Sequence, residues 1–174
     1  MSEDHEWLSN QHVFHHPLSS RIEQKIKYDY NIINGTTSIL GSYDSFRGWK
    51  QLISVTLPNT LTSIGNYAFT ESGLTAVTIP DSVGNNFGKG FEYATLLESV
   101  TLPTTITTIP GWAFRNSGLR SITIPDTVTT ISDNAFRHNY HLHTINLPSN
   151  ITSIEDYLFH HTANITSTIT IPDS

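Results

Sequence analysis

Prolines recur along this chain at nearly constant intervals. Six of them are separated by 22, 23, 22, 23 and 24 residues, and they are Pro58, Pro80, Pro103, Pro125, Pro148 and Pro172. Each proline ends a short phrase such as Val-Thr-Leu-Pro or Ile-Thr-Ile-Pro, in which apolar and polar residues alternate. Self-similarity at a fixed period is typical of solenoids and other repeat arrays. The period therefore predicts a stack of similar coils.

A second phrase, which ends in Ala-Phe or Leu-Phe, lies between the prolines. Alternation at Val55, Thr56 and Leu57 predicts a short, half-buried strand, and the proline that follows ends it because proline has no N–H for a ladder. The phrase that ends in phenylalanine is expected to form a tight turn. Stacking the coils would then place six rings in one buried column: Phe46, Phe69, Phe91, Phe114, Phe136 and Phe159.

The repeated pattern is similar to that of a known family. Leu-x-x-Val-x-Leu at Leu52, Val55 and Leu57 resembles a leucine-rich repeat. The longer phrase Leu-x-x-Val-Thr-Ile-Pro-x-x-Val-x-x-Ile-x-x-x-Ala-Phe resembles the BspA-like subtype, known from bacterial and protist surface proteins. The resemblance covers roughly residues 36–174 and implies a binding or adhesion module without catalytic residues. We expect a right-handed leucine-rich-repeat solenoid of about six coils, with a single parallel sheet and one short strand per repeat.

Two features depart from that subtype. It often has a cysteine three residues after the phenylalanine, whereas this Cys-free chain has smaller or polar residues there: Ser72, Ala94, Ser117, Asn139 and Thr162. In the repeat at residues 83–91, Asn86 takes the place of the expected isoleucine. We expect Phe87 to fill the gap through a local irregularity of that coil.

The two ends differ from the repeats, and we expect an N-terminal segment (1–34) followed by the solenoid (35–174), whose last coil is incomplete. Ser20-Arg21-Ile22-Glu23 matches a capping box, which predicts a short helix at about residues 20–29. Such a helix would cover the apolar edge of the first coil. The chain stops just after the phrase at 169–172. An open sheet edge there favours a fragment of a longer array, edge-to-edge self-association or a frayed end.

Net charge and the absence of several motifs exclude some classes of partner and activity. The net charge of −6 disfavours nucleic acid and anionic membranes, and no apolar stretch is long enough to span a bilayer. The N-terminus lacks the features of a signal peptide, so the chain as written is expected in the cytoplasm, unless a signal was removed, although the family it resembles is often on the cell surface. We find no nucleophile elbow, phosphate loop or His-Glu-x-x-His motif. We therefore expect neither an enzyme nor a cofactor.

The strands supply the first candidate surface. Because side chains alternate along a strand, polar residues next to the buried ones point outward in every coil. One outward column consists of Thr56, Thr78, Thr101, Thr123, Asn146 and Thr170, and a second of Ser54, Ala76, Ser99, Ser121, Thr144 and Thr168. The residue after the repeat leucine varies, as a recognition surface requires: Ile53, Thr75, Glu98, Arg120 and His143. We expect Glu98 and Arg120 to pair across neighbouring coils.

Two functions remain open for this face. The first is non-catalytic binding of a protein or glycan ligand through Thr75, Thr78, Glu98, Thr101, Arg120, Thr123, His143 and Asn146. The alternative is a structural or ice-binding array that uses the grid of hydroxyl and methyl groups. Neither follows from composition alone, since threonine also suits exposed strand positions and ordinary surface drift also produces variety.

Histidines form a second candidate site. Counting from each phenylalanine, His138 and His161 occupy equivalent places on neighbouring coils, with His141 and His143 nearby. Two stacked imidazoles could share a transition metal. No carboxylate occupies an obvious third-ligand position, so we interpret these residues as a solvated turn patch that gains charge below about pH 6.5, and we expect no metal.

Overall fold

The computed structural model of the chain describes residues 28–41, 45–162 and 165. They form a parallel β-solenoid whose short strands repeat in two columns. The first column contains β1 (Tyr28–Asn31), β3 (Leu52–Thr56), β5 (Ala76–Thr78), β6 (Ser99–Thr101), β8 (Ser121–Thr123) and β10 (Thr144–Asn146). The second contains β2 (Ser38–Ile39), β4 (Ser63–Ile64), β7 (Thr108–Ile109), β9 (Thr130–Ile131) and β11 (Ser153–Ile154). Within this part of the chain the one helix is a single 3₁₀ turn, Asp81–Val83, and no helix is long and apolar enough to cross a membrane.

Every strand pair in the described residues is parallel and joins neighbouring coils. In the first column β1 pairs with β3, β5 with β6, and β8 with β10. In the second, β2 pairs with β4, and β9 lies between β7 and β11. Equivalent repeat positions face each other, as in Val77 opposite Val100. The predicted solenoid of parallel strands is therefore confirmed.

The expectation of a single sheet with one strand per repeat needs correction. The extended piece after each proline also pairs with its neighbour, as Ile109 does with Ile131. Because this piece alternates a half-buried polar residue with a buried isoleucine, it meets the same requirement as the first strand. Each regular coil consequently contributes two strands to two separate columns.

Phenylalanine rings fill the centre of the stack. The rings of Phe46, Phe69, Phe91, Phe114, Phe136 and Phe159 follow one another at centroid distances of 5.2 to 6.3 Å, within 16° of parallel. The first five are fully buried, and Phe159 is half-buried. Aromatic pairs of this kind contribute about 0.5–1.5 kcal/mol each beyond burial of their area. The predicted column is confirmed.

The turns on either side of each phenylalanine adopt a left-handed backbone. Nine non-glycine residues have φ between 53° and 65°. They lie two residues before the phenylalanine (Tyr67, Trp112, Asn134 and Tyr157) or two residues after it (Glu71, Tyr93, Asn116, His138 and His161). In these positions the backbone N–H points along the stack: Asn116 N donates to Arg137 O at 2.8 Å, and His138 N donates to His160 O at 2.9 Å. The turns therefore form a third hydrogen-bonded ladder between coils.

The irregular coil predicted at residues 83–91 is present. Phe87 is fully buried beside Phe91 and Phe114, as expected from the missing isoleucine. No second-column strand forms in this coil, and the side chain of Asn85 replaces it on one side. Its Oδ1 accepts the backbone N–H groups of Thr107 at 3.0 Å and Thr108 at 3.2 Å. An amide side chain thus takes the place of a backbone carbonyl.

Buried polar side chains occupy three of the five places where the subtype often has cysteine: Ser72, Ser117 and Asn139. Ser72 Oγ donates to Phe69 O at 2.8 Å. Asn139 Nδ2 donates to Phe114 O at 2.7 Å and to Phe136 O at 2.8 Å, while its Oδ1 accepts from Ser117 Oγ at 2.6 Å. These side chains bond to carbonyl oxygens within the stack, which lets polar residues replace a thiol in a buried position.

The N-terminal boundary differs from the expectation. Tyr28 and Asp29, predicted to end the capping helix, belong to β1 and pair with β3, so the solenoid ladder includes residues that precede the expected start at 35. Tyr30 packs edge-on against Phe46 at 5.3 Å, and burial raises its pKa. In β1 the backbone groups of this segment hydrogen-bond to β3 and Tyr30 contacts the ring column, and a helix that extended to residue 29 would lose the pairing of Tyr28 and Asp29. Residues 20–27 of the predicted helix, and the last strand phrase at 169–172, lie outside the described residues.

Candidate binding surfaces

The strand face is the outward side of the first column. The predicted residues Thr75, Thr78, Glu98, Thr101, Arg120, Thr123, His143 and Asn146 are all exposed there. Their inward neighbours Val77, Ile122 and Ile145 are at most 5% exposed. The alternation that builds the core therefore also presents these side chains to solvent.

The variable residues form a continuous column along this face. Glu98 N donates to Thr75 O at 2.8 Å, Arg120 N to Glu98 O at 3.1 Å, and His143 N to Arg120 O at 3.1 Å. Arg120 Nη2 also lies 3.1 Å from Glu98 Oε1, with the side chains 56% and 53% exposed. The expected ion pair is present. Such an exposed pair contributes about 0–1 kcal/mol, so its placement matters more for recognition than for stability.

A shallow depression interrupts the strand face. It has a volume of about 440 Å³ and is lined mainly by hydroxyl-bearing and small side chains of β3, β5 and β6, among them Thr56, Ala76, Thr78, Ser99 and Thr101. β3 and β5 belong to different hydrogen-bonded pairs, as do β6 and β8, so the depression lies at one of two interruptions of strand pairing in the first column. Two of the predicted residues, Thr78 and Thr101, line it. No residue pattern in the repeats predicted this interruption.

The turn face, on the phenylalanine side of each coil, carries a buried ion pair that sequence reasoning missed. Glu92 is 3% exposed in its side chain, and its Oε1 accepts from Arg115 Nη1 at 2.9 Å. Arg115 also donates to Tyr93 Oη at 2.6 Å and lies 4.8 Å from the Trp112 ring centroid. Burial alone would lower the pKa of Arg115, but the hydrogen bond and charge of Glu92, with the contribution of Tyr93, raise it overall.

This ion pair could have been suspected from one sequence feature. Glu92 and Arg115 directly follow the phenylalanines of adjacent coils, so they occupy equivalent positions one repeat apart. Glu92 Oε2 and Arg115 Nε are buried without a hydrogen-bond partner among the described residues. The pair fixes the guanidinium between Tyr93 and Trp112, and removing one partner would leave an uncompensated buried charge.

Histidines gather two coils further along the turn face. The rings of His138 and His161 stack at 4.9 Å and 10°, as their equivalent positions suggested. His160 lies 4.0 Å from His161 and 6.2 Å from His138, measured between ring centroids. Of the residues that the structure describes, no three His, Asp or Glu side chains are arranged to hold a metal ion. His138 Nδ1 instead lies 2.9 Å from Tyr140 Oη.

Desolvation and nearby positive charges lower the pKa of two of these imidazoles. Partial desolvation lowers the pKa of His138, and the charges of Arg137, His161, Arg115 and His160 lower it further. Desolvation, His161 and Arg137 lower the pKa of His160. No carboxylate acts to raise either value. The immediate surroundings of these two histidines are therefore cationic, on a chain whose net charge is negative.

Comparisons with known proteins agree with the repeat architecture. The family model of the BspA type leucine rich repeat region matches residues 25–140 and 88–174, with six copies. A crystal structure of a leucine-rich repeat protein from Bacteroides ovatus superimposes with a TM-score of 0.70 and 29% identity, over 77% of this chain and 35% of that one. A leucine rich cell surface protein from Faecalibacterium prausnitzii has a TM-score of 0.51 and 21% identity, over 79% of this chain and 58% of that one, a likeness of fold alone. The chain spans about a third to three-fifths of the length of these proteins. Comparison with curated proteins finds no match.

Proposed function

The chain belongs to the BspA-type leucine-rich-repeat family, and from this we propose that it is a non-catalytic interaction module that binds a protein or glycan ligand on its strand face. The observation that carries the proposal is the depression between β3, β5 and β6. A concave site with polar groups on a rigid frame is what a ligand requires. Its threonine and serine hydroxyls can donate and accept hydrogen bonds, and their methyl groups provide apolar contact.

The variable column supports the same surface. Thr75, Glu98, Arg120 and His143 follow one another along the backbone ladder, so they present an apolar–polar, an acidic, a basic and a titratable group in a fixed order. Specificity can change through these side chains while the coil geometry stays constant. A ligand that starts in the depression and extends along the stack would contact this column.

Two sets of substitutions test the proposal. Thr78→Trp with Thr101→Trp fills the depression, and Glu98→Ala, Arg120→Ala and His143→Ala together clear the variable column without changing the formal charge of the Glu–Arg pair. Ligands are first selected from a glycan array and a peptide display library with the unaltered protein, and binding is then measured by biolayer interferometry. We expect both sets to weaken the selected ligand by about tenfold or more.

A matched control separates the strand face from general damage. Thr95 is also exposed and does not line the depression, so Thr95→Trp should leave binding unchanged. Equal binding by the unaltered protein and both substituted sets would refute the strand face as the binding site. Failure of both libraries to yield a ligand whose binding the substitutions affect would also refute it.

A second candidate function is an ice-binding or structural array. It is favoured by the register of β5 and β6, which places the exposed Thr78 directly opposite Thr101. The depression makes this face less flat than an ice plane requires, so we rank it second. Replacing Thr78, Thr101 and Thr123 by leucine should abolish thermal hysteresis under this hypothesis, and an unaltered protein without hysteresis would exclude it.

A further inference from the structure

The turn face holds a group of cations that the strand-face function does not use. We define the histidine–arginine cluster as Arg115, Arg137, His138, His160 and His161. The charges of the other four members all lower the pKa of His138. All four therefore lie close enough to His138 to interact with it electrostatically. Two exposed tyrosines border the cluster, since the Tyr157 ring lies 5.6 Å from the His160 ring and Tyr140 contacts His138.

The positive charge of the cluster is incompletely neutralised. The ion pairs in the described part of the chain are Arg115–Glu92 and Arg120–Glu98, so Arg115 has a carboxylate partner and Arg137 does not. Arg137 Nη1 donates instead to the neutral Asn134 Oδ1 at 3.1 Å, and its guanidinium lies 5.8 Å from the Tyr157 ring centroid. With Arg137 already cationic, protonation of the imidazoles would concentrate several positive charges in one place.

The aromatic side chains suggest what kind of anion fits. Tyr140 is 49% exposed and Tyr157 is 61% exposed, so each presents an apolar ring with a polar tip beside the cations. A pyranose ring that bears a carboxylate or sulfate has the complementary arrangement of an apolar C–H face and an anionic group. A simple inorganic anion would not use the tyrosine rings.

We propose that the histidine–arginine cluster binds an acidic oligosaccharide, whose carboxylate or sulfate groups pair with Arg137 and the protonated imidazoles and whose sugar rings pack on Tyr140 and Tyr157. This site is separate from the strand face, so the proposal does not depend on the function proposed there. Binding strengthens as the pH falls through the range in which histidine protonates. The groups that face His138 are Arg115, Arg137, His160, His161 and the Tyr140 hydroxyl, with Glu92 behind Arg115.

A sulfated probe tests the proposal. Binding of a heparin-derived octasaccharide to the full chain is measured by isothermal titration calorimetry near pH 5.5 and pH 7.5. We expect affinity about tenfold tighter at the lower pH, and His138→Asn with His161→Asn should weaken binding at that pH by about tenfold. Asparagine tolerates positive φ, and Asn116 occupies the equivalent place in the preceding coil with φ 53°, so these substitutions preserve the turn.

Two further variants complete the design. His141→Asn removes an exposed histidine outside both the cluster and the strand-face column, and it should leave binding within about twofold of the unaltered protein. Tyr157→Asn, which copies Asn134 one coil earlier, should weaken the octasaccharide because it removes the sugar-facing ring. Circular dichroism verifies that each variant is folded.

Several results would overturn the proposal. Absence of binding near pH 5.5, or equal losses in the cluster variant and the His141→Asn control, would refute the site. Tighter binding of a phosphoserine peptide of equal charge, or no effect of Tyr157→Asn, would exclude an oligosaccharide as its ligand. In contrast, a Thr78/Thr101 variant that loses strand-face ligands but binds heparin as before would support two independent binding surfaces.

Discussion

Asn139 offers a sharp test of how this stack accommodates polar groups. Its amide is fully buried and makes three hydrogen bonds, two to the carbonyl oxygens of Phe114 and Phe136 and one from Ser117. At about 1 kcal/mol net for each bond, Asn139→Ala would lose about 3 kcal/mol. Part of this free energy is regained in the variant. The Phe136 carbonyl still accepts a hydrogen bond from the backbone N–H of residue 139, and the Ser117 hydroxyl can rotate to donate to the Phe114 carbonyl.

The expected net loss in free energy of unfolding is therefore about 2 kcal/mol, or a Tm lower by about 4–8 °C for a chain of this size. Asn139→Ser should lose about 1 kcal/mol less than Asn139→Ala, since a serine there can bond to the Phe136 carbonyl as Ser72 does to Phe69 at 2.8 Å. Urea unfolding followed by far-ultraviolet circular dichroism measures both.

Asn150→Ala is the matched control, because Asn150 donates one bond to Asp126 O from an exposed position. It should change the free energy of unfolding by less than about 0.5 kcal/mol. An Asn139→Ala variant as stable as the unaltered protein would refute the reasoning, and so would an Asn139→Ser variant no more stable than Asn139→Ala.

Three other perturbations have defined outcomes. Phe91→Leu removes two stacked ring contacts and should lower the free energy of unfolding by about 1–3 kcal/mol in urea titrations. Gly73→Ala places a Cβ against backbone oxygens of the preceding coil and should lower Tm much more than Gly84→Ala, which has open space and only a positive φ of 50°; equal shifts would contradict close backbone approach as the cause. Because the folded state lowers the pKa of His138 and His160, it binds fewer protons than the unfolded chain, so stability present above about pH 6.5 should decline as the pH falls through the histidine range. A thermal melt series checks this, and His138→Asn should reduce the slope.

The sequence predicted those features that depend on repetition. A proline every 22 to 24 residues and a phenylalanine in every repeat require equivalent residues to stack, so the ring column, the outward threonines and the Glu98–Arg120 pair all followed. Phe87 followed as well, because a missing isoleucine leaves space that only a neighbouring apolar residue can fill.

The repeat pattern did not predict features in which two local structures or two environments were both compatible with the residues. The two-residue strands of the second column are too short for periodicity to distinguish them from irregular chain. Burial of Glu92 depends on Arg115 one coil away, whereas a glutamate in a turn is ordinarily exposed. Tyr28 and Asp29 satisfied a helical pattern locally, but pairing with β3 satisfies their backbone groups better.

The left-handed turn residues have a consequence for how such a chain can change over evolutionary time. A positive φ is unfavourable because Cβ approaches the backbone, and asparagine adopts it more readily than bulky residues do. Trp112, Asn134 and Tyr157 occupy the same place in successive coils with φ of 65°, 55° and 56°. The stack therefore holds this turn conformation whether an aromatic ring or an amide occupies the place. The outer surface of the turns can acquire new chemistry while the stack beneath it is preserved.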